Sequence, residues 1–280
     1  MTQQRLREKR FLRDRGFPTT PFCSIQSLND LREAASTLGL PAVLKTASFG
    51  YDGKGQQKLR LRDDLEPAFL ALQGREGIYE AFVDFEKEIS VVAARTLSGE
   101  FQAFPVFENI HSNHILDVTV TPAIITPELA RGATDLSRGI LESLNVVGLL
   151  TVELFVTRDG QLLVNELAPR THNSGHVTMD ACVTSQFEQQ LRAICGLPLG
   201  SIQLRSPAAA MSNLLGDLWL HSTPNWDRAL RDSEVKLHLY GKTDARVGRK
   251  MGHLNVLEKT AADAVRRVKL ARDRLMSDSA

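Results

Sequence analysis

The sequence is poor in cysteine and has no long apolar run. Its three cysteines, Cys23, Cys182 and Cys195, are widely spaced and contain no C-x-x-C pair, which argues against a disulfide framework and against a zinc knuckle. The longest apolar stretch, 146–156, is too short to cross a bilayer, and the charged residues of 1–13 leave no apolar core for a signal peptide. These absences predict a soluble protein of the cytoplasm, with no membrane partner.

The chain also has almost no net charge, since 34 basic residues oppose 33 acidic ones. No overall electric field therefore favours nucleic acid, and we expect no nucleic-acid partner. Any phosphate or other anion must be bound by a local arrangement of donors. At 280 residues the chain is long enough for two domains, or for one large domain with an appendage.

Apolar periodicity predicts an α/β chain whose middle part is mainly sheet. Ser27 and Asp30 form a capping-box pattern ahead of an apolar stripe, which predicts a helix over 27–38. Strands are predicted on both sides of a glycine-rich loop at 48–56. The predicted strands are 42–44, 58–61, 77–83, 88–96 and 101–107. The further predicted helices are 63–73, 127–144 and 179–194. A hairpin is predicted from the strands 147–156 and 161–166.

A change in texture after 196–198 predicts a domain boundary, because short strands and turns follow it. We expect a larger domain over 1–203, with a flap subdomain at about 18–82, and a small β-rich subdomain over 204–280.

The loop 50–56 contains three glycines whose unshielded backbone N–H groups can surround phosphate oxygens. Its spacing fits neither a Walker loop nor a dinucleotide fingerprint. A glycine-rich flap that folds over a nucleotide remains, and an ordinary hairpin turn is the alternative. Lys45 ends the strand before this loop, where its ammonium group could meet the α- and β-phosphates, although lysines at strand ends are usually solvated.

The predicted hairpin carries two carboxylates. A two-residue turn at Asp159-Gly160 would set Glu153 directly opposite Glu166 on strands that are otherwise apolar. Such a pair is destabilising unless one acid is protonated or a cation lies between them, and magnesium prefers oxygen ligands of this kind. Asn165 could supply a further oxygen. The alternatives are a shifted register or neutralisation of one acid by Arg170.

Two polar segments follow the hairpin. The first, 168–176, comes directly after the predicted metal pair, and its side chains could form an oxyanion or substrate pocket, although loop histidines usually lie at the surface. The second, 241–253, is basic and rich in glycine, so that it is either a solvated loop or a site for an anionic second substrate. The donors of the first segment are Arg170, His172, Asn173, Ser174 and His176.

The order of these features resembles the ATP-grasp fold: a lysine, a glycine flap, the string 80–83, and then the two acidic positions of the hairpin. Three strings, 48–56, 165–176 and 240–253, are similar to those of the 5-(carboxyamino)imidazole ribonucleotide synthase family of purine biosynthesis. The resemblance covers nearly the whole chain. It implies an α/β (α+β) ATP-grasp fold over 1–203 with a small C-terminal β-rich subdomain.

The resemblance also assigns roles to individual residues. It implies that Glu153 and Glu166 hold magnesium, and that Arg170, His172, Lys242, Tyr51 and Lys54 take part in catalysis. Bicarbonate and aminoimidazole ribonucleotide would be surrounded by these five together with Asn173, Ser174 and Arg249. ATP would be bound by Arg5, Lys45, Gly50, Tyr51, Asp52, Gly53, Lys54, Gly55, Gln56, Glu80, Ala81, Phe82, Val83, Glu88, His111, Asn165 and Glu166.

The implied reaction begins with attack of bicarbonate on the γ-phosphate of ATP. The exocyclic amine of the ribonucleotide then captures the carboxyl group of the resulting carboxyphosphate. Family members begin with a glycine-rich α/β domain, and this chain is expected to start behind it; a homodimer is also expected. The alternatives are another ATP-grasp ligase, such as a formate-using glycinamide ribonucleotide transformylase or a biotin carboxylase, and a nucleotide-binding fragment that needs a partner chain.

Overall fold

Separate hydrophobic cores divide the chain into two units. Unit 1 consists of Met1–Lys87 and Val152–Ala168, and unit 2 of Glu88–Thr151 and Pro169–Ala280. The structure is a computed structural model that describes residues 4–48, 55–220 and 222–276.

The described chain contains both helices and strands, and its middle part, 85–121, is mainly sheet, as the sequence predicts. The helices are α1 (Arg5–Asp14), α2 (Leu28–Leu38), α3 (Leu65–Ala71), α4 (Pro127–Ser143), α5 (Thr178–Ala181), α6 (Gln186–Ile194), α7 (Trp226–Leu230) and α8 (Ala261–Asp273). The strands are β1 (Phe22–Ile25), β2 (Ala42–Thr46), β3 (Gln56–Leu59), β4 (Gly77–Ala81), β5 (Phe85–Arg95), β6 (Phe101–Ala103), β7 (Phe107–Ser112), β8 (Ile115–Thr121), β9 (Gly148–Thr157), β10 (Leu162–Ala168), β11 (Ala208–Leu215), β12 (Lys236–Leu239) and β13 (Lys250–Glu258). Short 3-10 turns lie at Arg62–Asp64, Ser174–Val177 and Gly216–Trp219.

Unit 1 contains an antiparallel sheet in the order β1-β4-β2-β3, covered by α2 and α3. The predicted capping box at the start of α2 is confirmed. The amide of Asp30 donates to the Ser27 hydroxyl at 3.1 Å, and the amide of Ser27 donates to the Asp30 carboxylate at 2.9 Å. Leu31 on this helix and Leu44 on β2 are both buried in the core between helix and sheet, so the apolar stripe anchors the helix.

Unit 2 contains an antiparallel sheet in the order β5-β7-β8-β11-β13-β12, with β6 paired to β5. Helix α8 packs against β11 and β13, and its Val268 is buried in the core with Leu254. In this sheet Asn213 pairs with His253 across β11 and β13. The predicted C-terminal sheet region is present, whereas the predicted domain boundary at residue 203 stays a prediction.

Two predicted elements are wrong in their extent. The single helix expected over 179–194 is two helices, α5 and α6, because Cys182 is extended and bridges to Leu204 and the Ser185 side chain caps the start of α6. The single strand expected over 101–107 is divided into β6 and the start of β7, with Pro105, which has no N–H, between them. Among the described helices none is long and apolar enough to cross a membrane.

Candidate functional site

Lys45 and Glu80 form a buried ion pair in unit 1. They lie on the neighbouring strands β2 and β4, with 2.9 Å between Lys45 Nζ and Glu80 Oε2, and only 17% and 5% of their side chains are exposed. Burial opposes ionisation of Glu80, but Lys45 and Lys9 outweigh it, so the pKa of Glu80 is lowered. The second carboxylate oxygen, Oε1, has no hydrogen-bond partner within the described parts of the chain. The site therefore holds a lysine beside a carboxylate with one spare acceptor.

Two further charged residues are buried on α1, and sequence reasoning missed both. Lys9 Nζ donates to the Thr19 hydroxyl at 2.9 Å and to the Val164 carbonyl at 3.0 Å. Glu8 accepts from the Leu167 amide at 3.2 Å. Burial lowers the pKa of Lys9, and burial together with the nearby Glu166 raises the pKa of Glu8 to about 8. In the sequence these residues stand among other charges, and no local pattern separates them from a solvated helix.

The turn between β9 and β10 differs from the prediction. The Thr157 amide donates to the Gln161 carbonyl at 3.0 Å, and the Gly160 amide donates to the Thr157 carbonyl at 2.9 Å. Three residues, 158–160, therefore connect the strands, with Gly160 in the left-handed region at φ 77°. The predicted two-residue turn is wrong, because the Thr157 hydroxyl accepts from the Gln161 amide and closes a longer turn. Counted residue by residue from this turn, Asn165 would lie opposite Glu153.

The contacts of β10 with α1 bear on the pairing of Glu153 with Glu166. The Val164 amide donates to the Pro18 carbonyl and its carbonyl accepts from Lys9 of α1, so residue 164 presents its peptide groups to the edge occupied by α1. The Leu167 amide also donates toward α1, to Glu8. Residues three apart in a regular strand present their amides to opposite edges, so one extra residue lies between these two positions. Such a shift would set Glu153 opposite Glu166, and the predicted pairing stays a prediction.

The other predicted nucleotide residues of unit 1 lie near β2 and β4. Arg5 donates to the Thr46 carbonyl at 2.8 Å, at the end of the strand that carries Lys45. The Thr46 amide donates to the Gly55 carbonyl at 2.9 Å, and Gln56 pairs with Lys45 as β3 begins. Ala81, Phe82 and Val83 end β4 and follow it. The predicted residues Gly50, Tyr51, Asp52, Gly53 and Lys54 lie outside the described residues.

In unit 2 the structure brings Glu88 and His111 together. Glu88 lies on β5 and His111 on the neighbouring strand β7, and the carboxylate contacts the imidazole Nδ1. Both side chains are partly exposed. Their predicted contact with ATP stays a prediction.

The polar segment after β10 rests on a buried chain of hydrogen bonds. The hydroxyl of Ser174, which is 0% exposed, lies 2.9 Å from both the Ser90 hydroxyl and His172 Nδ1. Ser90 accepts in turn from the Asn109 amide at 2.9 Å. The Ser174 hydroxyl thus fixes the orientation of the His172 ring. The predicted contact of Ser174 with substrate stays a prediction.

Other residues of this segment are fixed in different ways. The amide groups of Asn173 and Asn213 bond reciprocally, at 3.0 and 2.7 Å. His176 lies 2.8 Å from Gln186, and burial, with a smaller contribution from the charge of His172, lowers its pKa to about 4. Arg170 is exposed and donates to the Thr171 carbonyl at 3.0 Å.

The basic segment 240–253 meets the polar segment through its aromatic residues. The ring of His176 lies edge-on to Tyr240 at 5.9 Å and 5.4 Å from the ring of His253. The Tyr240 hydroxyl lies 2.9 Å from His253 Nδ1, and burial lowers the pKa of His253 to about 3. Lys242 lies 5.3 Å from the centre of the Tyr240 ring. Two segments that are far apart in the sequence thus form one cluster around neutral histidines.

The candidate anion residues of the basic segment are held by backbone carbonyls. Lys242 Nζ donates to the carbonyl of Lys250 at 2.6 Å, and Arg249 donates to the carbonyl of Asp244 at 2.6 Å. Lys242 is exposed and Arg249 is half-buried. Arg249 Nη1 also lies 3.7 Å from the Asp244 carboxylate, and the predicted contact of both cations with a substrate anion stays a prediction.

Two family profiles match the chain. That of the ATP-grasp domain matches residues 10–187, and that of the phosphoribosylaminoimidazole carboxylase C-terminal domain matches residues 209–267. The chain is 44% identical, over 260 residues, to the N5-carboxyaminoimidazole ribonucleotide synthase of Bacillus subtilis, a match that covers 92% of this chain and 67% of that protein. It is 43% identical to the synthase of Brucella melitensis, covering 91% of this chain and 69% of that protein.

Solved structures are similar as well. An N5-carboxyaminoimidazole ribonucleotide synthetase solved as an ADP complex has a TM-score of 0.89 and 43% identity, over 99% of this chain and 73% of that one. The synthase of Aspergillus clavatus, solved with ADP and 5-aminoimidazole ribonucleotide, has a TM-score of 0.87 and 28% identity, over 98% of this chain and 73% of that one. The chain thus spans about two thirds of the two curated relatives, and the expectation about a preceding domain stays a prediction.

Proposed function

This chain belongs to the N5-carboxyaminoimidazole ribonucleotide synthase family of ATP-grasp proteins, and we propose that it carboxylates 5-aminoimidazole ribonucleotide with bicarbonate at the expense of ATP. The predicted ATP-grasp fold with a C-terminal sheet region is confirmed by the same matches. In the reaction a bicarbonate oxygen attacks the γ-phosphorus, which gives ADP and carboxyphosphate. The ribonucleotide amine then attacks the carboxyl carbon, a C–N bond forms, and phosphate leaves.

The observation that carries this proposal is the cluster in unit 2. It joins a segment with Arg170 and His172 to a segment with Lys242 and Arg249, through the contact of His176 with Tyr240. One half suits a small planar anion and the other a phosphate-bearing substrate, since guanidinium and ammonium groups recognise both. Burial keeps His176 and His253 neutral, so the positive charge of the two segments is carried by their arginine and lysine side chains. This division fits bicarbonate and a ribonucleotide as co-substrates.

Unit 1 supports the binding of ATP. Phosphoryl transfer depends on positioning and on neutralisation of oxygen charge. Lys45, paired with Glu80, can neutralise phosphate oxygens, and Arg5 lies at the end of the same strand. The spare oxygen of Glu80 can accept from the nucleotide, which would satisfy a buried atom. Gly55 and Gln56 place the start of β3 beside these groups.

The carboxylates of the hairpin fit a magnesium ion. Among the described residues no cluster of three or more histidine, cysteine or acidic side chains could hold a metal ion by itself. A magnesium ion would therefore need ligands from its substrate as well, and Glu153 and Glu166 would hold it together with phosphate oxygens and water. The negative charge of Glu166 raises the pKa of Glu8, which indicates an excess of carboxylate at this place. Magnesium, when bound, neutralises charge on the transferred phosphoryl group. Asn165, beside Glu166, offers one further oxygen.

The residues of unit 2 act on the second substrate and the intermediate. His172, whose Nδ1 is bonded to Ser174, and the exposed guanidinium of Arg170 orient bicarbonate for its attack. Lys242 and Arg249 hold the phosphate of the ribonucleotide. Tyr51 and Lys54 remain predicted contributors to the same steps. We further propose that the protein works in the cytoplasm as a homodimer.

Product and ADP formation test this proposal together. The chain is incubated with magnesium-ATP and bicarbonate, with and without 5-aminoimidazole ribonucleotide, and both ADP and carboxylated ribonucleotide are measured. We expect ADP release that depends on bicarbonate and a carboxylated product when the ribonucleotide is present. ADP release with formate and glycinamide ribonucleotide, and none with bicarbonate, would assign the chain to a different ATP-grasp reaction.

A further inference from the structure

Gln186, the first residue of α6, is fully buried beneath the polar segment. Its carboxamide oxygen accepts from the His172 amide at 2.9 Å. Its nitrogen donates to the His172 carbonyl at 2.7 Å and to His176 Nδ1 at 2.8 Å. The two hydrogens of the amide nitrogen are thus both used. One side chain fixes both backbone groups of His172 and one ring nitrogen of His176.

Hydrogen bonds and close packing surround Gln186. Its backbone amide donates to the Thr178 hydroxyl at 2.9 Å, and that hydroxyl donates to the Gly175 carbonyl at 2.6 Å. A Cβ added at Gly175 would lie 2.3 Å from the Gln186 oxygen and 2.6 Å from its amide carbon. The glycine therefore allows the carboxamide to lie directly against the backbone of the segment, and the amide cannot rotate away without moving that backbone.

This geometry also fixes the tautomer of His176. An amide N–H that donates to Nδ1 requires a lone pair there, so the ring proton of neutral His176 lies on Nε2. The ring then presents its N–H on the side away from Gln186. Because His176 packs edge-on against Tyr240, the orientation reaches the segment that carries Lys242.

We propose that Gln186 is a positioning residue for the bicarbonate step: it holds the backbone of His172 and the tautomer of His176 in the arrangement that receives the anion. The assignment rests on the proposed function, since it takes 170–176 as the place where bicarbonate binds. Gln186 touches neither bicarbonate nor ATP, and it acts through the two histidines.

The neighbouring residue Gln189 offers a matched control. It too is fully buried on α6, and its amide clamps a backbone in the same manner: the oxygen accepts from the Gly200 amide at 2.8 Å and the nitrogen donates to the Gly200 carbonyl at 3.1 Å. A further bond joins that nitrogen to Gln102 at 3.1 Å. Gly200 belongs to none of the candidate sites. Gln186→Met and Gln189→Met therefore remove the same number of bonds and the same polar groups.

Steady-state kinetics of the full chain separates the two glutamines. We expect both variants to lower the melting temperature by similar amounts, while only Gln186→Met lowers kcat/KM for bicarbonate, by about tenfold or more, with KM for ATP nearly unchanged. Equal losses of kcat/KM for bicarbonate in the two variants, or an unchanged kcat/KM for bicarbonate in Gln186→Met, would overturn the proposal. If Gln186→Met folds poorly, Gln186→Glu keeps the shape and offers at most one donor, so it loses at least one of the two donated bonds and the same bicarbonate defect is expected.

The tautomer gives a readout that needs no activity. Nitrogen-15 NMR of labelled wild-type protein should show His176 protonated on Nε2, and Gln186→Met should lose that preference while Gln189→Met keeps it. A wild-type ring protonated on Nδ1 would refute the positioning role even in an active enzyme. Absence of bicarbonate-dependent turnover with the expected tautomer would instead count against the proposed function, and the clamp would stand as a structural feature only.

Discussion

At the scale of single residues, each buried charge of unit 1 is compensated by a neighbouring charge. Lys45 is the bonded partner of Glu80, and Lys9 adds charge from α1. A buried carboxylate that loses its cation keeps its desolvation cost without the compensating attraction. The state of Glu80 is therefore tied to Lys45.

We expect Lys45→Met to lower the free energy of unfolding by about 3–5 kcal/mol, because it leaves the carboxylate of Glu80 buried without its bonded partner. Urea denaturation measures the loss. Lys58→Met is the control, since that lysine is exposed and its contact with the Phe82 ring is worth about 1 kcal/mol or less. Similar losses in the two variants would show that Glu80 does not depend on Lys45.

A second prediction at this scale concerns the basic segment. Lys242→Ala and Arg249→Ala should each raise KM for the ribonucleotide by about tenfold or more while KM for ATP changes little, because both cations lie in the basic segment of unit 2. Lys259→Ala is the control, since this lysine is an exposed cation of unit 2 outside the basic segment. A comparable rise in KM for ATP would assign the segment to the nucleotide or to the fold.

Packing between elements of unit 2 sets the protonation of the histidine cluster. Its rings come from the 3-10 turn Ser174–Val177, from β12 and from β13, and His238 stacks on His253 at 4.6 Å while its Nε2 lies 2.8 Å from Asp180. Burial, and then the neighbouring histidines, lower the pKa of His253. An unfolded histidine, by contrast, takes up a proton near pH 6.5.

The unfolded chain therefore binds more protons than the folded one between pH 6.5 and the folded pKa values of about 4 for His176 and about 3 for His253. Stability conferred by the neutral rings is present above pH 6.5 and is lost as the pH falls, at a rate of up to about 1.4 kcal/mol per pH unit for each ring. His253→Gln should reduce this slope between pH 6.5 and 5 in chemical denaturation series. His114→Asn, at an exposed position, should leave it unchanged; equal slopes in wild type and His253→Gln would contradict the assignment.

Elements with a local signal could be predicted from the sequence, and those set by distant contacts could not. Helix α2 and the long helix α4 carry their own caps, at Ser27 and Thr126, and were predicted to within a residue or two. The break between α5 and α6 depends on the bridge of Cys182 to Leu204, which no local pattern announces. The contacts of β10 with α1 likewise join residues that are about 155 or more positions apart in sequence.

The residues of the candidate site likewise divide into those that a local sequence pattern predicts and those that depend on distant contacts. His172 and Lys242 stand in strings that resemble a known family, and Lys45 precedes the glycine-rich loop in an order of features that resembles the ATP-grasp fold. The side chains of all three lie in polar clusters of the structure. The sequence does not predict the roles of Gln186 and Glu8, because a glutamine or glutamate near the start of a helix is normally exposed to solvent. Their burial depends on tertiary packing alone.

At the scale of the whole molecule each unit has a core of its own. Leu44 and Tyr79 are buried in unit 1, and Leu254 and Val268 in unit 2. The candidate carboxylate pair lies in unit 1, in the segment Val152–Ala168 that returns to the N-terminal part of the chain. A ligand that binds only the folded protein stabilises it by an amount that grows with its concentration relative to Kd, about 2.7 kcal/mol at 100 times Kd.

That linkage gives the sharpest test of the carboxylate pair. Glu153→Gln and Glu166→Gln should each lose most of the rise in melting temperature that magnesium-ADP causes in wild type, because each removes one of the two charges that would hold the cation. Without ligand Glu166→Gln should be at least as stable as wild type, since the charge of Glu166 raises the pKa of the buried Glu8 and opposes its ionisation. Glu100→Gln, an exposed position in unit 2, should keep the full shift. If both hairpin variants also keep it, the two carboxylates do not form the magnesium site.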